Sequence, residues 1–284
     1  MNPSINSAIN KARADLLRGG IANPRREARS LIAHLLRQGQ THLLAHSDDV
    51  LSASDVEALD KMVARRLRGE PMQYITGHQE FYKLDFEVTP DVLIPRPETE
   101  AIVEVGLELL RNERRPIIAE IGTGSGCIAV SLLKERPDAL VHAVDMSAAA
   151  LRVAERNARR HRVEDRLTLA ESDLFDQLPG ETKFSLIVSN PPYIPEADWA
   201  VLPSEVRDYE PRSALVSGVD GLDCIRRLLR DAPRYLRRDG YLVFEIGFGQ
   251  DHTVSSLVDP HLCEVLEIRK DLQGIPRTVV LRKK

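Results

Sequence analysis

The sequence predicts an α/β protein: a mostly parallel sheet with helices on both faces, preceded by a small all-α domain. Three observations carry this. From Pro116 onward, short β-type runs alternate with helical ones, the pattern of parallel strands joined by crossover helices. Residues 1–70 keep a helical period with no β pattern among them. A glycine-rich turn, "EIGTGSG", lies between the first strand of the alternating part and its helix. The strand ends at such a position are where α/β sheets bind ligands.

In residues 1–70, Ile5, Ile9, Ala12 and Leu16 share one helix face, and Ala28, Leu31, Ile32, Leu35 and Leu36 make a second stripe. The second helix is expected to start with Asn23 as N-cap and Pro24 in its first turn. A third is expected at "SDVE", where Ser54 and Glu57 have capping-box spacing, burying Val56, Leu59, Val63 and Leu67. This domain ends near Arg68 to Pro71. Residues 71–96 read as a connector, in which Leu84, Phe86 and Val88 alternate with charged neighbours like a half-buried strand. Pro97 suits the first turn of a helix running to about Arg111 and opens the third segment, 97–284.

Strands are then expected at 117–121, 139–144, 166–170, 184–189 and 241–246, with two more near 262–269 and 278–282. Helices are expected from about Gly126, then at 148–160, 222–236 and 250–257.

An apolar share of 43% over 284 residues supplies a sizeable core. No run approaches the roughly 18 apolar residues of a membrane helix. The amino terminus shows no apolar secretory core, and three scattered cysteines make neither a disulfide framework nor a zinc site. A reduced cytoplasm is expected. The formal charge of −4 argues against a surface built wholly for nucleic acid. Residues 1–70 hold 11 Lys/Arg against 8 Asp/Glu, and the remainder 28 against 35. That excess reads as a mixed solvated surface.

In "AEIGTGSGCIAV", Gly122, Gly124 and Gly126 permit positive φ and close approach of a ligand to the backbone, and Thr123 and Ser125 complete the loop. Helix-start N–H groups there favour an anionic or carboxylate-bearing ligand. Cys127 stands where the last glycine of a dinucleotide G-x-G-x-x-G would be, which tilts the reading toward S-adenosylmethionine. Asp145, ending the second strand, can accept from ribose hydroxyls or cap the next helix. Asp173 can accept from an adenine amino group or belong to an ordinary turn. Glu120, acidic within an apolar strand, either approaches a cofactor's ammonium group or pairs structurally.

The strand "FSLIVS" delivers "NPPY", Asn190 to Tyr193. Each proline fixes φ near −65° and removes an N–H, so the loop holds its carbonyls rigidly and offers few competing donors. Asn190 Oδ1 and the Pro191 C=O can grip both hydrogens of a planar –NH₂ group, and Tyr193 can stack on its plane. Two acceptors favour negative charge on a delocalised, poorly nucleophilic nitrogen and aim its lone pair at a sulfonium methyl. Alignment can then supply up to roughly 7–11 kcal/mol of the acceleration in ideal cases.

"EIGTGSG" with "NPPY" resembles the class I S-adenosylmethionine-dependent methyltransferases that act on planar amino groups of adenine, guanine or glutamine. The flanks "PMQYITGHQEFYKLDFEVTPDVLIPRPETE", "YEPRSALVSGVDGLDCIRRLL" and "GYLVFEIGFGQ" are similar to the HemK/PrmC family. The resemblance spans nearly the whole chain and implies a Rossmann-like sheet with a helical amino-terminal domain that holds the partner, joined by a β-hairpin connector. It also implies methylation of the side-chain amide of the glutamine in the Gly-Gly-Gln motif of class-1 release factors. By that likeness the cofactor contacts Gly122–Gly126, Asp145, the Asp173/Leu174 region and Asn190, and the glutamine lies against Asn190, Pro191, Pro192 and Tyr193. Lys83 departs from a common Gly, and Leu174 from a Trp of some members. The "IPRPETE" segment favours the release-factor enzymes over those acting on a ribosomal protein. Within it, Arg96 and Glu100 either close the cofactor pocket or serve a helix start. Glu245, at the end of "YLVFE", either supports the active site or is structural.

The arginine-rich stretches "RVAERNARRHR" and "CIRRLLRDAPRYLRR" read as solvated helix faces rather than nucleic-acid patches, and the histidines show no ligand spacing. No metal, membrane or direct nucleic-acid contact is expected, and nothing demands more than a monomer.

Overall fold

In the computed structural model, which describes residues 2–284, the chain forms two compact units. The first comprises the residues up to Gly77 together with Ser204–Tyr209. It contains α1 (Ile5–Arg18), α2 (Pro24–Leu36), the short α3 (Gln40–Ala45), α4 (Ala53–Leu67) and α5 (Met72–Thr76). Ile5, Ile9, Ala12 and Leu16 bury against Ala28, Leu31, Ile32, Leu59 and Val63, as the stripes require. Pro24 does occupy the first turn of α2, although the Asn23 side chain makes no capping bond.

The start of α4 corrects one expectation. Ser52 is the N-cap and Asp55 completes the capping box; the Ser54/Glu57 pair lies two residues inside the helix. Both pairs have the same spacing, and the acid nearer the helix dipole's positive end is the one that closes it. Leu67, expected inside, is exposed. Near the end of α4, the buried Arg66 donates to Glu27 (2.7 Å) and to Glu205 (2.9 Å). Glu205 lies on a single helical turn, Ser204–Arg207, which belongs to this unit although it is far along the chain.

The second unit opens with a hairpin of β1 (His78–Phe81) and β2 (Leu84–Glu87), with Phe81 opposite Leu84. Tyr82 and Lys83 form its two-residue turn at φ 49° and 60°, the left-handed pair of a type I′ turn. The Lys83 departure therefore sits where glycine is cheapest. We expect Lys83→Gly to stabilise this unit by about 0.5–1 kcal/mol, read from the midpoint of urea unfolding.

A 3-10 turn (Pro97–Thr99) leads to α6 (Glu100–Leu109), and then strands and helices alternate: β3 (Ile117–Ile121), α7 (Cys127–Glu135), β4 (Leu140–Asp145), α8 (Ala148–His161), β5 (Leu167–Glu171) and β6 (Phe184–Ser189). The chain ends with α9 (Asp223–Tyr235), β7 (Leu236–Glu245), α10 (Asp251–Leu257), β8 (Cys263–Lys270) and β9 (Pro276–Lys283). The sheet order is β5-β4-β3-β6-β7-β9-β8. β3 to β7 run parallel, and β9 is antiparallel to both its neighbours.

β6 is buried along its whole length, as an apolar run central to a two-sided sheet must be. From Leu186 its residues divide the core by alternation: Leu186 and Val188 face one cluster with α6, α7 and α8, while Ile187 faces another with α9 and α10. Phe184 joins that second cluster, across the register shift between Phe184 and Leu186. The order of the strands reverses between the parallel β3 and β6, so their carboxyl ends open the crevice in which an α/β sheet receives ligands.

Candidate active site

A cleft of about 610 Å³ opens at those strand ends. Its wall includes Glu120, Gly122, Thr123, Gly124, Ser125, Asp145, Asp173, Leu174, Asn190, Pro191 and Pro192. The fold thus gathers eleven of the residues singled out in the sequence from four strand ends. Gly126, Tyr193, Arg96, Glu100 and Glu245 are not on that wall.

The glycine loop is left-handed at Gly122 (φ 74°), Gly124 (54°) and Gly126 (79°). A Cβ on Gly122 or Gly124 would meet nothing within 4 Å. That open space beside bare backbone is a cradle. Gly126 serves packing instead: a Cβ there would lie 3.2 Å from that of Ala154 on α8. Asn157, also on α8 and fully buried, bonds Ser125 C=O (2.8 Å) and both backbone groups of Glu87, tying the glycine loop to the hairpin.

Asp145 holds the loop from the other side. Its Oδ2 accepts from Gly124 N–H (2.8 Å) and its Oδ1 from Ser147 N–H (2.9 Å). Ser147, not Asp145, caps α8, through Ala150 N–H. Each Asp145 oxygen keeps a further lone pair on the cleft wall. Burial raises its pKa.

Glu120 is 1% exposed. Its Oε2 accepts from Thr123 Oγ1 (2.6 Å) and Ala129 N–H (3.2 Å), whereas its buried Oε1 has no partner. Burial, with the Asp145 charge adding to it, pushes this carboxyl up to about 8. A buried oxygen without a donor costs free energy until a donor arrives. Asp173 pairs with Arg227 (2.9 Å), an arginine of α9 that also lines the cleft. Leu174 beside it adopts φ 52°.

Asn190 leaves β6 and donates through Nδ2 to Thr99 Oγ1 (3.0 Å). Among the described residues nothing donates to Asn190 Oδ1 or to the Pro191 carbonyl. Two acceptors are thus left on the loop. Its far side is fixed as firmly: Ile194 N–H bonds Leu215 C=O and Ser217 N–H bonds Ile194 C=O, each within 3.0 Å. Tyr193 turns inward, packs against the second core cluster and donates to Glu245 Oε1 (3.0 Å). Its carbonyl accepts from Gln250 Nε2 (2.9 Å). Burial raises the Tyr193 pKa, and the Glu245 charge adds to that. Burial also raises that of Glu245, opposed by the Thr99 and Tyr193 hydroxyls and by Arg277.

Gly221 makes room for this loop. Its φ is +78°, and a Cβ would sit 2.2 Å from the Tyr193 carbonyl oxygen. Gly221→Ala is expected to destabilise the unit by on the order of 2 kcal/mol and to cut turnover by displacing the loop. A thermal melt beside an activity assay at a temperature where the variant is folded separates the two effects.

Arg96 and Glu100 have structural partners. Arg96 pairs with the buried Glu210, whose other oxygen accepts from Ile94 N–H (3.2 Å), and Glu100 accepts from Tyr82 N–H at the hairpin turn (2.8 Å). Thr99, Glu210 and Gln250 were not singled out in the sequence, though all three lie inside the motifs quoted for it. Among the described residues no group of His, Cys, Asp and Glu is placed to hold a metal ion, and no helix is long and apolar enough to cross a membrane.

Residues 7–77 match the model of the PrmC N-terminal domain, and residues 103–201 that of the methyltransferase small domain. Along its whole length the chain is 41% identical to a release factor glutamine methyltransferase of Nitratidesulfovibrio vulgaris, covering 98% of that protein. The chain belongs to the release factor glutamine methyltransferase family. A Geobacter sulfurreducens member of that family is 44% identical over 97% of this chain and 95% of its own. A T. thermophilus 16S rRNA methyltransferase, solved with AdoMet and guanosine, shares the fold at a TM-score of 0.52 and 16% identity. It covers 73% of this chain, which covers 50% of it. The class I methyltransferase fold implied by the family resemblance is therefore the fold observed.

Proposed function

We propose that the chain transfers a methyl group from S-adenosylmethionine to the N5 amide nitrogen of the glutamine in the Gly-Gly-Gln motif of class-1 release factors. The observation that carries this is the pair of undonated acceptors on a loop rigid at both ends, beside a glycine cradle. The cradle fits the cofactor. The orphaned Glu120 Oε1 suits its ammonium group, Asp145 its ribose hydroxyls, and the Asp173/Leu174 turn its adenine. When bound, S-adenosylmethionine supplies a sulfonium-activated methyl whose departure leaves a neutral thioether.

The chain's own residues then have three tasks. Asn190 Oδ1 and Pro191 C=O accept from the two N–H groups of the substrate amide, which fixes its plane and enriches charge on nitrogen. The prolines keep competing backbone donors away. The cleft walls hold the nitrogen on the methyl's line of approach, where alignment is worth most. The nitrogen is cationic and acidic after methylation and gives its surplus proton to water.

The chain acts as a cytoplasmic monomer without direct nucleic-acid contact. Every wall of the cleft comes from one chain, and the net charge is −4. The helical amino-terminal unit holds the release factor. Incubation with methyl-labelled cofactor and, separately, release factor, ribosomal protein, DNA and RNA tests this. Label on the release factor that is lost when its motif glutamine becomes alanine is the expected result. Label confined to ribosomal protein or nucleic acid would overturn it.

A further inference from the structure

The side-chain amide of an asparagine can sit either way round, presenting a carbonyl or an NH₂ group to a substrate. Only the carbonyl outward is useful here, because the substrate amide brings two N–H donors. Resting on the function proposed above, we propose that Thr99 and Glu245 form a polarity lock that sets the direction of the Asn190 amide. Thr99 is thereby a positioning residue for methyl transfer.

The chain of bonds is short and buried. Thr99 Oγ1 donates to Glu245 Oε2 (2.7 Å), and Asn190 Nδ2 donates to Thr99 Oγ1 (3.0 Å). Thr99 and Glu245 are each 2% exposed, so water does not substitute for either. A hydroxyl has one proton. An ionised carboxylate only accepts, so that proton points at Glu245 and Thr99 shows Asn190 nothing but a lone pair. The asparagine must then turn its NH₂ group inward and its Oδ1 outward.

The opposite Glu245 oxygen accepts from Tyr193 (3.0 Å), so one carboxylate holds both ends of the Asn-Pro-Pro-Tyr loop. A proton resting on Oε1, toward Tyr193, leaves the direction at Thr99 unchanged. Glutamine in place of Glu245 keeps the direction at Thr99 only with its oxygen toward Thr99 and its NH₂ group toward Tyr193, whose hydroxyl must then accept instead of donate.

The test uses the full chain and kinetics on intact release factor. Thr99→Val keeps the shape and removes the hydroxyl. Its kcat is expected to fall about 10- to 100-fold, while KM for release factor and Kd for S-adenosylhomocysteine stay within roughly 3-fold. Thr99→Ser restores the hydroxyl and should return kcat to within about 3-fold of the parent. Because Thr99 acts through Asn190, Thr99→Val should cost less than about 2-fold in an Asn190→Ala background.

A packing role would make Thr99→Ser as impaired as Thr99→Val. That result, an unchanged kcat in Thr99→Val, or an equal loss in the Asn190→Ala background would overturn the lock. Hydrogen exchange of the Asn190 side-chain NH₂, followed by NMR, needs no substrate. Slower exchange in the parent than in Thr99→Val supports the lock, and equal rates overturn it. Failure of the parent to methylate release factor counts against the proposed function alone.

Discussion

Asn190→Ala is expected to lower turnover by about 10²- to 10³-fold, the range for losing one preorganised polar group that acts on the reacting centre. Cofactor affinity should stay within a few-fold. Asn190 sits at the end of β6 with its NH₂ group already engaged by Thr99, so its free oxygen is the part lost to the reaction. Truncation leaves the substrate amide with the Pro191 carbonyl alone, which restrains one N–H and lets the plane rotate. A substrate bound but misaligned shows in kcat more than in KM. The two prolines should keep the backbone in place, because their φ angles are fixed by covalent geometry. Single-turnover kinetics with separate calorimetric titration of S-adenosylhomocysteine checks both halves. An equal loss of cofactor binding would make Asn190 chiefly a cofactor ligand.

Glu120→Gln should weaken S-adenosylmethionine binding by roughly 10- to 150-fold, the worth of one charge-assisted hydrogen bond of about 1.5–3 kcal/mol. The variant keeps an oxygen for Thr123 and Ala129 and places an NH₂ group where the orphaned Oε1 stood. An ammonium group would meet a donor there. The cofactor-free protein should respond in the other direction. The folded-state pKa of Glu120 is raised from 4.5 to about 8. Its contribution to stability is thus fully present below 4.5 and declines as pH rises toward 8, because the unfolded chain ionises first. Glutamine does not titrate. The Tm difference between variant and parent should therefore move in the variant's favour from pH 5 to pH 8 and level off above. A difference independent of pH would show that the folded protein carries Glu120 ionised throughout.

Much of the architecture was legible because its signals are local. β3 and β6 have the bounds expected for them, each being an apolar run stopped by Gly or by Asn-Pro-Pro. β7 begins at Leu236, five residues before the start expected at Tyr241. The intervening Arg237, Arg238 and Asp239 are exposed, and Asp239 has φ 59°. A bulged strand start of this kind looks like a loop in sequence. Ser204–Tyr209 could not be assigned to the helical unit from sequence, since its partner Arg66 lies 139 residues away.

The candidate site divides along the same line. Glu120, the glycine loop, Asp145 and Asn190 stand at strand ends, where the fold class alone gives them meaning. Thr99 and Glu245 are 146 residues apart, and neither Thr99 nor Gln250 has a local pattern that marks it. Arg227 shares a helix with arginines that face solvent, and only the turn carrying Asp173 brings it to the cleft.

The central claim is that this cleft methylates the amide of one glutamine of a release factor. The most direct measurement is tandem mass spectrometry of purified class-1 release factor after incubation with the chain and S-adenosylmethionine. The account predicts one added methyl group, on the side chain of the Gly-Gly-Gln glutamine, absent when Asn190→Ala replaces the parent for the same time. An unmodified glutamine, or a methyl group on any other residue, from a chain that binds the cofactor would contradict it.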